Sequence, residues 1–354
     1  MVKIGLMNLN KKHPLYVEDL DYILSTKGLE SIKGKSFLIT GATGLIGLCL
    51  IDALMRYNEA SNAQIKIVAV GRSKEKASER LGEYFGSHYF LFLEQDVRFP
   101  FPEDLQVDYI IPLASNTHPM AYSQFPIETI EINTKGAEHA LEKALACGAT
   151  VLYPSSVEIY GNARGEEIFT EDYTGILNLS TARSCYTESK RVSESMCLSY
   201  MAEKSVDVKI VRLSRIFGST MLMSDTKASS QFIKNALASE DIVLKSKGEQ
   251  YFSYTYVPDA VSAILYVLCN GVSGVTYNIS AGECNVHLWE FANICAEFRG
   301  KSVIFDLPTE KESKGFSIAT QAILDNSKLL RLGWHPRYKL ADAVRRTLEI
   351  LKAE

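Results

Sequence analysis

The stretch that most constrains this chain is Phe37 to Gly47, FLITGATGLIG. An apolar run, Phe37-Leu38-Ile39-Thr40, leads directly into Gly41, Gly44 and Gly47, and Leu48 to Met55 beyond them is apolar at helical spacing. A strand that turns through glycines into a helix makes a cradle for phosphate. The first N–H groups of such a helix lack partners within it and carry partial positive charge. The first glycine permits a tight turn, the second lets a pyrophosphate approach the backbone, and the third lets helix and strand pack closely. The spacing here is G-x-x-G-x-x-G rather than G-x-G-x-x-G, so a plain glycine-rich turn is the competing reading of this stretch alone.

What surrounds the stretch decides between the two. After it, apolar runs recur between helical segments: Ile65 to Val70, His88 to Leu93, Val107 to Leu113, Thr150 to Pro154 and Val206 to Leu213. Such alternation predicts βαβ units and a parallel sheet, with ligands beyond the carboxyl ends of the strands. The glycine loop, Gly71-Arg72-Ser73, Asp96-Val97, Leu113-Ala114-Ser115 and Ser156 all fall at such ends. The fold class is therefore α/β, a Rossmann-type doubly wound parallel sheet with a smaller, interleaved C-terminal domain. At the end of the second strand an acidic residue would bind an adenosine ribose 2′-OH; here Gly71 is followed by Arg72 and Ser73, which favours NADP slightly over NAD.

The totals narrow the class. With 354 residues, 46% of them hydrophobic, the chain is long enough for two intimately joined domains. A net charge of −4 gives no support for a nucleic-acid footprint. Seven dispersed cysteines without a CxxC read as reduced thiols of a cytoplasmic protein. No run of 18 apolar residues occurs, so no membrane span is expected, and the N-terminus lacks the apolar core of a secretory signal. Six histidines make no ligand spacing, so no metal site is expected. Residues 1–34 are expected to form an extension with a short helix after Pro14, packed on the domain surface through Leu15, Leu20, Ile23 and Leu24. Residues 35–218 form the dinucleotide-binding domain, to which 251–285 returns; residues 219–250 and 286–354 form the substrate-binding domain.

Tyr186-Thr187-Glu188-Ser189-Lys190 is a Y-x-x-x-K. Positions four apart share a helix face, so the ammonium of Lys190 can stabilise a Tyr186 phenolate and lower its pKa. Ser156, at the end of the fifth strand, supplies a hydroxyl for the same substrate oxygen. Either feature alone is common; the order of glycine loop, Ser156, Tyr186 and Lys190 is not.

At this point the chain resembles the extended short-chain dehydrogenase/reductase (NAD-dependent epimerase/dehydratase) superfamily, in its sugar-nucleotide branch. The stretches that carry the resemblance are TGATGLIG (Thr40 to Gly47), LAS (Leu113 to Ser115), IETIEINTKG (Ile127 to Gly136) and PSSVEIYG (Pro154 to Gly161). They continue with RSCYTESKR (Arg183 to Arg191), RLSRIFG (Arg212 to Gly218), YTYVPDAV (Tyr254 to Val261) and LDNSKLLRLGWHP (Leu324 to Pro336). RSCYTESKR with the preceding YTGILN is most similar to UDP-glucuronate decarboxylases. The resemblance implies bound NAD(P), contacted by Gly41, Thr43, Gly44, Leu45, Ile46, Gly47, Arg72, Ser73, Asp96, Val97, Leu113, Ala114, Ser115, Tyr186 and Lys190. It implies a nucleotide-sugar substrate oxidised at C4, with Tyr186 as base, Ser156 on the same oxygen and Lys190 on the cofactor ribose. It also implies a homodimer packed through the helices that carry Tyr186 and residues 127–147. Asn116, Thr117, Arg215 and Lys227 are expected on the substrate.

The 4-ketone so formed leads to decarboxylation, to 4,6-dehydration or to 4-epimerisation. Glu158, two residues after Ser156, matches the glutamate of dehydratases and decarboxylases and is the candidate C5 base. Many dehydratases carry an aspartate just before it, where this chain has Val157. An NADPH-dependent ketosugar reductase would need no Glu158, and a non-catalytic dinucleotide-binding regulator predicts a broken Ser/Tyr/Lys set, which here is intact. Two departures mark the substrate side: Phe252 stands where relatives have an arginine, and Arg215 where they have an asparagine. The expectation is that Arg215 and Lys227 replace the missing positive charge near the diphosphate.

Overall fold

Runs of β-branched and aromatic residues set the strands, and their alternate side chains feed two separate cores. The computed structural model of the protein describes residues 9–117, 119–163, 165, 168–307 and 320–352. Its strands are β1 (Ser36–Thr40), β2 (Lys66–Gly71), β3 (Phe90–Glu94), β4 (Tyr109–Pro112), β5 (Thr150–Ser156), β6 (Ile168–Phe169) and β7 (Val208–Leu213). They continue with β8 (Arg215–Phe217), β9 (Ile242–Leu244), β10 (Tyr251–Tyr256), β11 (Thr276–Ile279), β12 (Asn285–His287), β13 (Val303–Phe305) and β14 (Gln321–Leu324). The helices used below are α1 (Pro14–Leu24), α2 (Leu45–Ser61), α3 (Lys74–Leu81), α4 (Pro119–Gln124), α5 (Pro126–Cys147), α6 (Ser184–Lys204), α7 (Ala228–Leu237) and α8 (Val257–Asn270).

Seven strands form one parallel sheet in the order β11-β7-β5-β4-β1-β2-β3. The chain winds outward through β1, β2 and β3, then crosses to β4 on the other side of β1. The crevice between the carboxyl ends of β1 and β4 is the switch point where such sheets bind ligands. Phe37, Ile39, Ile67 and Ala69 face one core with α2 and α8; Leu38, Val68, Val70 and Val151 face the other with Ile132, Ala140, Leu141 and Ala144 of α5. This period-two division of β1 and β2 is why their sequences read as continuous apolar runs.

A second sheet, β12-β10-β14-β6 with β8 against β10, and the β9–β13 pair lie outside the first. Residues 251–285 thus divide: β10 joins the second sheet, whereas α8 and β11 lie with the first. The sequence reading missed β6, β8, β11, β12, β13 and β14, which have only two to four residues each and too little length for a period to appear. It also ended the fifth strand two residues early, since Ser155 and Ser156 continue in register with Arg212 and Leu213.

The N-terminal helix goes deeper than the sequence reading had it. Tyr16, Leu20 and Ile23 enter the main core cluster, and Asp19 is fully buried. Leu15 and Leu24, expected on the buried face, are only partly covered. Polar residues at 16 and 19, which an apolar-periodicity argument leaves outside, are drawn in because the fold supplies hydrogen-bond partners for them.

Candidate active site

The glycine loop follows from steric limits on backbone approach. Gly41 has a φ of +63°, and a Cβ there would lie 2.8 Å from the Leu113 carbonyl carbon at the end of β4. A Cβ at Gly47 would lie 2.4 Å from the Gly41 carbonyl oxygen. Glycine therefore closes the switch-point crevice on one side and seats α2 on the loop on the other. No side chain caps the N-terminus of α2 among the described residues, so its first N–H groups are offered to a ligand. Thr43, Leu45 and Ile46 are half-buried around the turn. The Thr40 hydroxyl accepts from Ala114 N–H at 3.0 Å, which ties β1 to the end of β4. These residues fit a dinucleotide: a cradle without side chains beside a helix end without a cap.

The other expected cofactor residues lie around this crevice with partners of their own. Arg72 pairs with Glu128 at 2.5 Å. Ser73 caps α3, accepting from Lys76 N–H at 3.2 Å. Asp96 pairs with Arg98 at 2.7 Å, and that guanidinium holds its carboxyl below the usual range. Val97 is buried against Gly136. Ser115 donates to Asn133 Oδ1 at 2.7 Å, and Asn133 Nδ2 donates to Ser189 Oγ at 2.8 Å. This relay from β4 through α5 to α6 was not foreseen, because a lone buried asparagine leaves no mark on apolar periodicity.

Ser156, Glu158, Tyr186 and Lys190 come together at the end of β5. Ser156 ends the strand and caps a single 3-10 turn, Val157–Tyr160, accepting from Glu158 N–H at 3.2 Å. Tyr186 lies in the first turn of α6 and Lys190 one turn on; both are nearly buried. Burial pushes the Tyr186 phenol well above its ordinary value, and a hydrogen bond with Ser156 counters part of this. Burial moves the Lys190 ammonium down to about 8, with Glu194 opposing the shift. Lys190 Nζ donates to the Pro154 carbonyl at 2.9 Å and lies 4.9 Å from the centre of the Tyr153 ring. That bond to a carbonyl of β5 satisfies a desolvated cation.

Tyr122 of α4 was not foreseen either. Its ring centre is 5.5 Å from that of Tyr186, and burial pushes its phenol up to about 12. On the substrate side, Asn116 Nδ2 donates to Thr129 Oγ1 at 3.2 Å. Lys227 Nζ lies 3.3 Å from Asp225 and 3.4 Å from Thr117 Oγ1. Arg215 Nη2 lies 3.4 Å from Glu158 Oε1, and its guanidinium sits 3.5 Å from the centre of the Phe252 ring. The two departures noted in the sequence are therefore in contact. Among the described residues no group of His, Cys, Asp and Glu could hold a metal, and no helix is long and apolar enough to cross a membrane.

Residues 37–280 match the model of the NAD dependent epimerase/dehydratase family. UDP-glucuronic acid decarboxylase 1 of Danio rerio is 31% identical over 322 residues, 90% of this chain and 73% of that protein. Among solved structures, a dTDP-glucose 4,6-dehydratase from Streptomyces venezuelae superposes with a TM-score of 0.74 at 22% identity, covering 89% of this chain and 96% of that one. A UDP-glucuronic acid 4-epimerase from Bacillus cereus gives 0.76 at 21% identity, covering 90% and 99%. These structures share the α/β fold expected from the strand pattern. From its glycine cradle, its Ser/Tyr/Lys set and these matches, the chain belongs to the NAD dependent epimerase/dehydratase family.

Proposed function

We propose that this protein is a nucleotide-sugar-modifying enzyme that transiently oxidises the sugar at C4. The observation that carries this reading is the convergence of Ser156, Glu158, Tyr186 and Lys190 beside the 41–47 cradle. Bound NAD(P) supplies a hydride acceptor that returns the hydride, so no net cofactor is consumed. Tyr186 takes the proton of the C4 hydroxyl while Ser156 holds the same oxygen. In the free protein burial keeps Tyr186 protonated, so its proton leaves only when positive charge faces the phenolate. Lys190, charged below about 8, is a cation one turn on along the same helix face. The 4-ketone labilises C5: a carboxylate there leaves as carbon dioxide, or Glu158 removes the C5 proton as the C6 hydroxyl departs.

Decarboxylation heads these outcomes. The similar curated relatives are named UDP-glucuronic acid decarboxylases, and buried Val157 offers no acid for a departing hydroxyl. The test is incubation with UDP-, CDP-, dTDP- and GDP-sugars followed by mass spectrometry. Loss of carbon dioxide is expected; loss of water, or an unchanged mass with a new retention time, would replace decarboxylation by dehydration or epimerisation. Failure of every sugar nucleotide to bind or turn over would sink the reading.

Both structural relatives were solved with NAD. The slight preference for NADP is proposed from Arg72, whose guanidinium is half-exposed at the end of β2 and whose partner, Glu128, a 2′-phosphate would displace. Arg72→Ala is expected to weaken NADP binding about tenfold and to spare NAD, the size of one charge-assisted hydrogen bond; equal effects in a cofactor titration would remove the preference. Residues 35–218, with α8 and β11, are assigned to the cofactor, and 219–250 with 286–354 to the substrate. Ile130 and Leu145 of α5 and Val192 and Leu198 of α6 are exposed, which supports a homodimer through these helices. Sedimentation as a monomer at micromolar concentration would count against it. The free thiols favour a cytoplasmic setting.

A further inference from the structure

Glu194 and Arg212 form an ion pair that no step of the proposed reaction uses, and it lies one helical turn from Lys190. Tyr186, Lys190 and Glu194 fall at every fourth residue of α6, so the three share one face of the helix. Lys190 and Glu194 are both nearly buried. Arg212 of β7 grips the Glu194 carboxylate with two nitrogens, Nη2 at 2.8 Å from Oε2 and Nε at 3.1 Å from Oε1. Its Nη1 donates to Tyr160 Oη at 2.9 Å and to the Glu171 carbonyl at 2.6 Å, which fixes the guanidinium. A buried ion pair stabilises a fold little more than well-packed apolar side chains of the same volume, so stability alone does not account for this one. Lys190 gives it a use. That ammonium is desolvated and donates to an uncharged carbonyl, that of Pro154, and an anion one turn away offsets the cost of keeping it charged.

Among the described residues, the other groups around Lys190 do not supply that anion. On α6 itself, burial pushes the Tyr186 phenol and the Cys197 thiol up, so both stay neutral where Lys190 titrates. From β5 comes the Tyr153 ring, 4.9 Å away, whose phenol burial pushes up as well. Thr40, Pro112, Ala114 and Asn133, which line a small cavity beside Lys190 from β1, the end of β4 and α5, carry no titratable group. Arg212 of β7 engages the carboxylate, and Glu194 favours the charged form of Lys190. We propose that Glu194 is a positioning residue for Lys190: its carboxylate is the counter-charge that keeps the ammonium charged where it works, and Arg212 orients that carboxylate and moderates its field. The inference rests on the part given to Lys190 in the proposed C4 oxidation and adds the pair that supports it.

The test is NMR titration of protein made with lysine labelled with carbon-13 at Cε, the Lys190 signal being assigned by its loss in Lys190→Arg. In the unaltered protein that signal is expected to titrate at about pH 8. Glu194→Gln is expected to lower the midpoint by about one pH unit, the low end of what a nearby opposite charge contributes. Glu194→Asp, which keeps the charge, is expected to stay closer to the unaltered protein. Glu194→Gln combined with Arg212→Gln leaves neither charge of the pair buried alone. Its midpoint is expected between those of Glu194→Gln and the unaltered protein, and it serves if the single variant melts early. NAD and NADP affinity, followed by fluorescence, is expected to decline at the same lower pH in Glu194→Gln, and to match the unaltered protein at about pH 6, where Lys190 is charged in both. A midpoint that Glu194→Gln leaves in place or raises overturns the inference while the C4 reading stands. An equal shift in Glu194→Asp also overturns it, since packing and not charge would then be responsible. A midpoint that moves while cofactor affinity does not follow supports the counter-charge and overturns the part given to Lys190 on the cofactor.

Discussion

Tyr186 and Lys190 share one face of α6, and burial moves their protons in opposite senses: the phenol holds its proton more tightly and the ammonium less. Tyr186→Phe removes the proposed proton acceptor and leaves the ring packed on Tyr122. Product formation is expected to fall by about 10²- to 10⁴-fold, with cofactor affinity little changed. For Lys190 the pH sign is direct. Its pKa is lowered by burial to about 8, so its charge is present below that pH and lost above it. Cofactor affinity is therefore expected to decline as pH rises through 8, and Lys190→Met to bind weakly without that decline; fluorescence titration at several pH values checks both. The same shift leaves the unfolded chain holding more protons than the folded one above 8. This residue's contribution to stability accordingly grows with pH from there to the ordinary lysine range, and is lost as pH falls.

The loop between β1 and α2 works as an element because its glycines meet backbone, which cannot yield as a flexible side chain does. Alanine is the better helix former by about 1 kcal/mol, so propensity alone favours Gly47→Ala. The contact at 2.4 Å decides otherwise. The variant is expected to push α2 off the loop, to lose cofactor binding and to melt at a lower temperature. Gly82, with a φ of −59° and nothing within 4 Å of its would-be Cβ, is the control. Gly82→Ala is expected to leave both readouts unchanged or to raise the melting temperature slightly. The loop is also gripped from outside its own element. Thr220 donates to the Leu45 carbonyl at 2.6 Å, and Arg80 of α3 donates to the Thr220 carbonyl at 2.5 Å. The segment after β8 is thereby anchored to the cradle, which links the two halves of the site.

At the scale of the whole molecule, the N-terminal helix joins parts of the chain that are remote in sequence. Fully buried Asp19 accepts from Tyr256 at 2.6 Å, from Tyr338 at 2.8 Å and from Arg346 Nη2 at 2.7 Å. It thus fastens the C-terminal helix, Leu340–Leu351, to the junction of β10 and α8. Asp19→Ala leaves the buried Arg346 guanidinium only the longer, 3.3 Å contact of its Nη1 with half-exposed Glu18. A loss of about 3–5 kcal/mol is expected, measured by denaturant unfolding. An Arg346→Leu variant added to it is expected to cost less than the sum of the two single changes, because each removes the same pair.

How much of this was legible beforehand follows the range of the interactions. Six of the seven strands of the large sheet, the α/β class, the glycine turn and the order Ser156, Tyr186, Lys190 were readable because each rests on a short window, in which period and spacing act on the backbone directly. The short strands of the second sheet lacked such a window. Asn133 and Tyr122 gave no sign of their roles, since one polar or aromatic side chain does not alter an apolar period. The sequence could name Phe252 and Arg215 as departures, but nothing in it put the guanidinium on the ring. That contact depends on β8 lying parallel to β10, a pairing across some forty residues that only the assembled sheet creates. The same holds for Asp19 and Arg346, which are 327 residues apart, and for the bond that draws Lys190 to Pro154. By itself the sequence determined which backbone would turn and which strands would be buried, and it set the order of Ser156, Tyr186 and Lys190. The tertiary structure decided which charges meet, because burial and long-range pairing exist only once the elements are packed.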